Sequence, residues 1–364
     1  MRSSKLITII AILISFIGII SIYSSTYQRE GTIWQDIYKR QVIWVIMGLI
    51  FFILISNCNY RILWDATYIL YFAVLILLLA VFLLGVVRLG AQRWLRIAWF
   101  NFQPSEIAKL VVVIFLSRYF SEKSVYSLAL AVRRFNFLRG FIIPFLIVTI
   151  PMILVVEQPD LGSGSVILFL FIAMVYLAGV RSRYIVIFLL LTALSLPMLW
   201  HFLRDYQKER LMVFLNPNVD PLGAGYTIIQ AKIAIGSGGL FGKGWLSGTQ
   251  SQLHFLPESH TDFVFSTFAE QWGFVGTAIL LFLYFILIRQ GIRIALKSTD
   301  YFGRLLALGV SLMLMIQIFI NIAMNLGLAP VVGIPLPLMS YGGSSLLVTF
   351  ISLGILVSID RKRI

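Results

Sequence analysis

Four side chains that could do acid–base or metal chemistry lie close together in His254-Phe-Leu-Pro-Glu258-Ser-His260-Thr-Asp262, which ends where an apolar segment begins. A carboxylate in such a place is partly shielded from water, which raises its pKa and suits it to act as a general base. The two His, the Glu and the Asp could instead bind a metal ion. A purely structural interpretation is that the Pro257 turn places polar residues before a helix, whose N-terminus Asp262 stabilises electrostatically. The spacing alone leaves these three interpretations open.

Charged residues inside or beside other apolar segments are further candidates, because ionisable side chains are costly in a membrane and are often functional there. Glu106 and Lys109 are three residues apart and therefore share one face of a helix. They form either a structural ion pair or a contact with substrate. Glu157 and Asp160 lie in Glu157-Gln-Pro-Asp160-Leu-Gly162. A turn at the end of a helix explains these two acidic residues about as well as a functional role does.

Glycines are dense in residues 236–248, where the backbone can approach a ligand closely and present free amides to an anion. Gly242 and Lys243 suggest part of a nucleotide-binding P-loop, but that motif requires Gly at position 237 and Ser or Thr at position 244. The sequence has Ser237 and Gly244 instead. The segment is therefore not a P-loop.

The composition identifies the class of protein that carries these residues. Of the 364 residues, 60% are apolar and 12% are charged, whereas soluble domains average about 45–50% and about 25%. There is too little polar surface for a water-soluble protein of this length. We therefore expect an integral membrane protein with a single lipid-embedded domain over residues 1–364. The only cysteine, Cys58, excludes an internal disulfide.

Apolar runs of about 20 residues are long enough to cross a bilayer. We predict ten such spans and therefore an all-α, polytopic bundle of transmembrane helices. The only long connection is an external loop over about residues 203–262, in which residues 226–235 are too few to span and fit a re-entrant or surface-lying helix. The predicted spans are residues 6–23, 41–55, 67–87, 105–119, 141–156, 165–179, 184–202, 263–288, 303–326 and 338–358.

The formal net charge of +14 raises the question of a nucleic-acid partner. Most of the basic residues fall in loops on the side of the two termini, which the positive-inside rule assigns to the cytoplasm. Topology therefore accounts for most of the positive charge, and we expect no nucleic acid as a partner. The acidic residues gather at the external surface, which is consistent with chemistry on that side.

The last external loop, residues 327–345, contains three prolines and four glycines and no charged residue. Irregular backbone is tolerated at membrane depth only where it is buried in protein or lines a cavity. Together with the long loop, this segment is expected to build a cavity that opens outward.

Six segments in order resemble the SEDS family (shape, elongation, division and sporulation), and the resemblance extends along nearly the whole chain. Within the family, the Gly248-Thr-Gln-Ser-Gln252 segment resembles the rod-shape elongation members more than the division members. The segments are Gln103-Pro-Ser-Glu-Ile-Ala-Lys109, Gln158-Pro-Asp-Leu-Gly162, Asp220-Pro-Leu-Gly-Ala-Gly-Tyr226, Gly248-Thr-Gln-Ser-Gln252, Pro257-Glu-Ser-His-Thr-Asp262 and Pro335-Leu-Pro-Leu-Met-Ser-Tyr-Gly-Gly-Ser344.

The resemblance implies a peptidoglycan glycosyltransferase of the bacterial cytoplasmic membrane that polymerises lipid II into β-1,4 glycan strands on the outer face. It implies as partners lipid II, the nascent strand, a class B penicillin-binding protein and other membrane proteins of the elongation complex. A lipid II flippase and a non-catalytic scaffold for the transpeptidase are the competing hypotheses. No inverted repeat is evident between the halves, and the candidate residues gather outside rather than at the midplane where transporters bind, which disfavours the flippase.

The resemblance also assigns roles to residues. Asp262 is the essential acid and the expected general base, Glu106 and Lys109 form a buried pair beside the cavity, and Glu258 and His260 fit the pattern, whereas His254 lies outside it. The departing lipid diphosphate requires positive charge, from side chains or from a divalent cation such as Mg²⁺ or Mn²⁺. The residues expected to contact substrate are Glu106, Lys109, Asp160, Arg204, Arg210, Lys232, Lys243, Glu258, His260 and Ser344.

Overall fold

The computed structural model describes residues 3–27, 36–88, 91–97, 100–125, 136–221, 223–253 and 255–362. The described chain is a helical bundle with one small sheet. In chain order the first elements are α1 (Ser3–Thr26), α2 (Ile37–Asn57), α3 (Ile62–Leu84), β1 (Gly85–Arg88), β2 (Ala91–Ile97), β3 (Phe100–Phe102) and α4 (Pro104–Val125). They are followed by a π-helical turn (Leu138–Ile142), α5 (Ile143–Glu157), α6 (Leu161–Leu177), α7 (Ser182–Phe202), α8 (Asp205–Leu215), a 3₁₀ turn (Pro217–Val219), α9 (Ala224–Ser237), α10 (Thr249–Gln252), α11 (Val264–Lys297), α12 (Tyr301–Asn325) and α13 (Gly343–Arg361).

The membrane-spanning helices agree with the predicted bundle of about ten. In the described part of the chain, seven helical segments are long and apolar enough to cross a membrane: α1, α2, α3, Leu138–Glu157, α11, α12 and α13. Two apolar helices are shorter, α6 and the stretch Ser182–Ser195 of α7. The remaining predicted span, residues 105–119, corresponds to α4, whose charged residues include Glu106, Lys109 and Arg118.

One hydrophobic core joins most of the bundle. Buried side chains of α1, α2, α4, α11, α12 and α13 form a single cluster with Ile334, Leu336 and Leu338 of the last external loop. The proline-rich loop is therefore packed into the protein, as its lack of charge predicts. The two ends of the chain meet at one end of the bundle, where the backbone N–H of Ser4 donates to Asp360 Oδ2 over 3.2 Å.

The small sheet between α3 and α4 was not predicted, and the third predicted span extends three residues too far. Helix α3 ends at Leu84, and the three strands pair antiparallel in the order β1-β2-β3. The side-chain amide of Gln92 donates to the carbonyls of Val81 and Gly85, over 3.0 and 3.1 Å, and so satisfies backbone acceptors where the helix ends. The apolar pair Val86-Val87 made the helix look longer in the sequence, although β-branched residues suit a strand equally well.

The long external loop contains the short helices α8, α9 and α10, as predicted. Helix α11 follows it and is broken at Gly273, whose φ of 62° and ψ of −162° are not helical. The residue must be glycine, because an added Cβ would lie 2.3 Å from the backbone N of Gly242. The loop thus packs its own backbone into the break of the helix.

Candidate active site

Asp262 lies between the long loop and α11, and α12 holds its backbone. The side-chain amides of Asn321 and Asn325 each donate to the Asp262 carbonyl over 3.0 Å. Asn325 Oδ1 in turn accepts hydrogen bonds from the backbone N–H and the hydroxyl of Ser266, over 3.2 and 2.6 Å. Two buried amides on the second-last helix therefore fix the position of the Asp262 backbone.

The residues before Asp262 are bound to the proline-rich loop. The Tyr341 N–H donates to the His260 carbonyl over 2.9 Å, and the Ser340 hydroxyl donates to the Thr261 carbonyl over 2.6 Å. His260 is buried, and its ring centroid lies 5.8 Å from that of Tyr341. Hydrogen bonds and a ring contact therefore join the two loops directly before Asp262.

The other side of the Asp262 carboxylate faces backbone. An added Cβ at Gly333 would lie 3.5 Å from Asp262 Oδ2, and Gly333 has a φ of +70°. Glycine is favoured there because the positive φ would strain a residue with a side chain. A Cβ at that distance would be in ordinary van der Waals contact, so the Gly333 backbone lies close to the Asp262 carboxylate.

The surroundings of the Asp262 carboxylate suit it to act as a base. It is half-buried, and among the described residues no donor hydrogen-bonds to its oxygens. Its pKa is raised to about 6, chiefly by burial and next by the neighbouring Glu258 carboxylate, while Arg210 and Arg93 oppose the shift. Glu258 itself accepts a hydrogen bond from the Thr261 hydroxyl over 2.9 Å. A carboxyl group with a pKa near 6 is ionised at neutral pH and still accepts a proton readily.

Two guanidinium groups lie within electrostatic reach of Asp262. Arg210, on α8, donates to the Val331 carbonyl over 3.1 Å. Its pKa is lowered, first by burial and next by the positive charge of Arg93. Arg93, on β2, donates to the Pro159 carbonyl, and its Nε is buried without a partner among the described residues. Two mutually repelling cations at one place favour an anionic ligand there.

Arg93 was missed as a site residue in the sequence, where it is one of several basic residues in a short external segment. Its position depends on the small sheet, and neither the sheet nor its register was anticipated. The residues Gln92-Arg93-Trp94-Leu95-Arg96-Ile97 do not alternate regularly between polar and apolar, so the sequence carries only a weak signal for a strand there.

Asp160 caps a helix beside this site. Its Oδ2 accepts from Gln103 Nε2 and the Ser105 hydroxyl, over 2.9 and 2.8 Å, and its Oδ1 accepts from the Ser163 N–H over 3.1 Å. The carboxylate acts electrostatically on both Asp262 and Arg210. It therefore belongs to the site's surroundings, with its own hydrogen-bonding capacity largely used.

Three predicted residues lie on or next to the start of α4. Lys109 Nζ lies 2.7 Å from Glu106 Oε1, and both side chains are buried. The Ser344 hydroxyl, at the start of α13, accepts from the Gln103 N–H over 3.0 Å and donates to the Asn101 carbonyl over 3.4 Å. These contacts connect the N-terminal ends of α4 and α13.

The remaining predicted cations are not gathered around Asp262 by any described contact. Arg204 pairs with Glu157, and both are exposed. Lys232 is exposed, without an ion pair in the described part of the chain, and its side chain passes over Gly327. Lys243 belongs to a separate cluster, in which its Nζ lies 2.9 Å from Glu270 Oε1. Their contacts with substrate stay predictions.

The Gly248-Thr-Gln-Ser-Gln252 segment binds the buried Glu270 carboxylate. Glu270 accepts from the N–H groups of Gln250 and Ser251 over 2.9 and 3.3 Å, from the Thr249 hydroxyl over 3.2 Å, and from Lys243. Two backbone amides just after the glycine-rich residues 236–248 thus face a carboxylate of the protein itself.

The metal-ion interpretation of the His254–Asp262 segment finds no cluster to support it within the described residues. No group of three or more His, Cys, Asp or Glu side chains there is arranged to hold a metal ion. His254 lies outside the described residues.

Comparisons with known proteins agree with this arrangement. A family model described as cell cycle protein, covering FtsW, RodA and SpoVE, matches residues 4–364. The peptidoglycan glycosyltransferase MrdB of Escherichia coli K12 is 45% identical over 332 residues, which cover 90% of this chain and 87% of MrdB.

Two solved structures are similar along almost the whole chain. A chain of a peptidoglycan synthase complex that coordinates polymerization and crosslinking has a TM-score of 0.81 and 34% identity, covering 98% of this chain and 97% of that one. The crystal structure of the rod shape determining protein RodA of Thermus thermophilus has a TM-score of 0.71 and 29% identity, covering 98% and 96%.

Proposed function

Since the chain belongs to the FtsW, RodA and SpoVE family of cell cycle proteins, we infer that it is a peptidoglycan glycosyltransferase embedded in a membrane by several helices. We propose that it polymerises lipid II on the outer face of the cytoplasmic membrane, with both termini on the cytoplasmic side. The observation that carries this proposal is Asp262, a half-buried carboxylate with a pKa raised to about 6 beside two cationic side chains.

In the proposed reaction, Asp262 accepts the proton of the sugar 4-hydroxyl of one lipid II molecule. The hydroxyl oxygen attacks the anomeric carbon of the growing chain from the side opposite the leaving group, and a β-1,4 bond forms with inversion. The bond to the lipid diphosphate breaks, and the diphosphate leaves with the electron pair. Hydrolytic glycosidases use two carboxylates, but a diphosphate needs no general acid to depart, so one carboxylate is sufficient.

Arg210 and Arg93 are the proposed binding groups for that diphosphate. Both act on Asp262 electrostatically, and each is held by a backbone carbonyl, so their positions are set before substrate arrives. Preorganised cations at the place where negative charge develops stabilise a transition state strongly. They would also keep the anionic substrate close to the base.

A divalent cation would be held here mainly by the oxygens of the substrate's diphosphate, since Mg²⁺ is often bound by substrate phosphates with only one or two carboxylates. Asp160 would contribute little, because its oxygens already accept from three donors. The cation would supply further positive charge at the diphosphate. Chelation with EDTA is expected to lower polymer yield, and Mg²⁺ or Mn²⁺ to restore it; full activity in EDTA would contradict a cation requirement.

A class B penicillin-binding protein, which crosslinks the strands, is the proposed partner, together with other membrane proteins of cell elongation. The similarity to a chain of a synthase complex that couples polymerization and crosslinking supports this proposal.

The test is direct. Purified protein in detergent is incubated with lipid II, and the products are separated by length. We expect a ladder of glycan polymers that Asp262→Ala abolishes; a purified, folded protein that forms no polymer, or a variant that forms as much, would contradict the proposal.

A further inference from the structure

The glycine-rich turn of the long external loop and the break in α11 together expose an apolar surface, here called the turn patch: Leu240, Phe241 and Trp245 of the turn and Trp272 and Phe274 of α11. The side chains of Leu240, Phe241 and Phe274 are 64%, 80% and 66% exposed. Contiguous exposed apolar side chains mark an interaction surface. None of these residues has a part in the proposed reaction.

The position of the turn is fixed by the protein, because backbone hydrogen bonds connect the turn to the break in α11. The N–H groups of Lys243 and Gly244 donate to the carbonyls of Glu270 and Gln271, over 3.0 and 3.1 Å. In the opposite direction, the N–H groups of Phe274 and Val275 donate to the carbonyls of Gly239 and Leu240, over 2.9 and 3.0 Å. Four backbone hydrogen bonds therefore set the height of the turn along the helix.

The length of helix α1 indicates the depth of the turn in a bilayer. The Trp245 ring stacks on the Tyr23 ring, with centroids 6.1 Å apart. Tyr23 lies 18 residues beyond Lys5, or about 27 Å along the helix at about 1.5 Å per residue. The hydrocarbon core of a bilayer is about 30 Å thick, so with Lys5 at the inner edge, Trp245 lies close to the outer edge of the core.

Helix α11 gives a second, independent height. Phe274 lies 15 residues before the exposed Arg289, about 22 Å away along the helix. With Arg289 at the inner edge of the hydrocarbon core, Phe274 lies within the outer half of the bilayer. Both helices therefore place the turn patch in or at the outer leaflet.

The patch also continues a lipid-facing surface. Beyond Phe274, α11 exposes the apolar side chains of Val275, Ile279, Phe282 and Phe285. In a membrane-spanning helix, such exposed apolar side chains face lipid. Tryptophan is enriched where hydrocarbon meets head groups, and the distance along α1 places Trp245 close to that level.

We propose that the turn of residues 238–246 inserts into the outer leaflet, with Leu240 and Phe241 among the acyl chains and the two tryptophans at the head groups. The partner of this surface is the lipid bilayer itself. The insertion anchors the long loop at the plane of the membrane. In the proposed function, that plane is where the diphosphate of a lipid-linked sugar lies; the insertion does not depend on that function.

The test measures depth with a spin label. Because Cys58 is the only cysteine, a Cys58→Ser background allows Phe241→Cys to be labelled alone in the full chain. Phe241 is 80% exposed, so the substitution leaves packing intact. The controls are Ile279→Cys on the lipid face of α11 and Asn218→Cys on an exposed polar turn of the same loop. The protein is reconstituted in vesicles of phosphatidylethanolamine and phosphatidylglycerol.

We expect the label at position 241 to have an accessibility ratio, oxygen over a water-soluble nickel chelate, close to that at 279 and several-fold above that at 218. A ratio equal to that at 218 would show that the turn lies in water and would overturn the proposal. Low accessibility to both reagents would show that protein, such as a second copy, covers the patch, and would overturn it as well. Neither readout uses enzymatic activity, so the result is independent of the proposed reaction.

Discussion

Lys109 donates a hydrogen bond to Glu106 over 2.7 Å, and neither side chain is more than 3% exposed. The pair lies at the start of α4, where the N-terminal end of the helix also favours the carboxylate. Neither charge has another hydrogen-bond partner in the described part of the chain, so each depends on the other.

Removing one member of this pair leaves the other charge buried and uncompensated. We expect Glu106→Gln to reduce the free energy of unfolding by about 3–5 kcal/mol, measured as a lower Tm in detergent. The double variant Glu106→Gln/Lys109→Met removes both charges and should recover part of the loss. A Glu106→Gln protein as stable as the wild type would show that the pair is dispensable for folding.

The two arginines are expected to act on the reaction rather than on folding. Arg210→Gln and Arg93→Gln should each lower kcat by about 100-fold, the usual effect of removing one preorganised charge stabiliser. The matched control is Arg96→Gln, an exposed arginine on the same strand as Arg93. Rates of lipid II polymerisation are compared at equal amounts of folded protein. Loss of rate in the control, or none at Arg210, would contradict the assignment.

The pH dependence of the reaction follows from the raised pKa of Asp262. The base must be ionised, so the rate should fall as pH falls through about 6. Glu258 raises that pKa, and Glu258→Gln removes its negative charge. The pKa of Asp262 should then decrease and the acid limb of the pH–rate profile should move to lower pH. An acid limb that stays in place or moves upward would contradict the proposed role of Glu258.

The Glu270 cluster is expected to hold the long loop in place. Glu270→Ala leaves the amides of Gln250 and Ser251 and the charge of Lys243 without their acceptor, at about 1–3 kcal/mol for each unsatisfied group. Lys243→Met should cost less, because Glu270 keeps its hydrogen bonds from the loop. Tm values of the two variants test the order, and faster hydrogen exchange at Ser251 in Glu270→Ala tests the location. Equal stability of both would contradict the account.

The membrane bundle could be predicted from the sequence because apolar runs of about 20 residues have few alternatives to a spanning helix. The contacts between residues 257–262 and the proline-rich loop could be predicted from the sequence only in part. The absence of charge indicates a buried loop, but the contacts of Asn321 and Asn325 with the Asp262 carbonyl join positions some 60 residues apart. No periodicity in the sequence encodes such a pairing.

Two features could not be predicted for local reasons. The sheet that carries Arg93 begins directly after α3 with the short strand β1, so apolar Val86 and Val87 look like a continuation of the helix. The break at Gly273 depends on four backbone hydrogen bonds from a distant turn, whereas a single glycine in an apolar run is ordinary in a membrane helix. In both cases tertiary contacts decide between conformations that the local sequence allows equally.

The central claim is that Asp262 is the base, and one comparison tests it most directly: the initial rate of lipid II polymerisation by Asp262→Asn against that of Glu209→Gln. Asparagine keeps the size of the side chain and the backbone contacts but cannot accept the proton, and Glu209 is an exposed acid of the same external loop. We predict that Asp262→Asn forms no detectable polymer while Glu209→Gln matches the wild type. Polymerisation by Asp262→Asn at the wild-type rate would contradict the account.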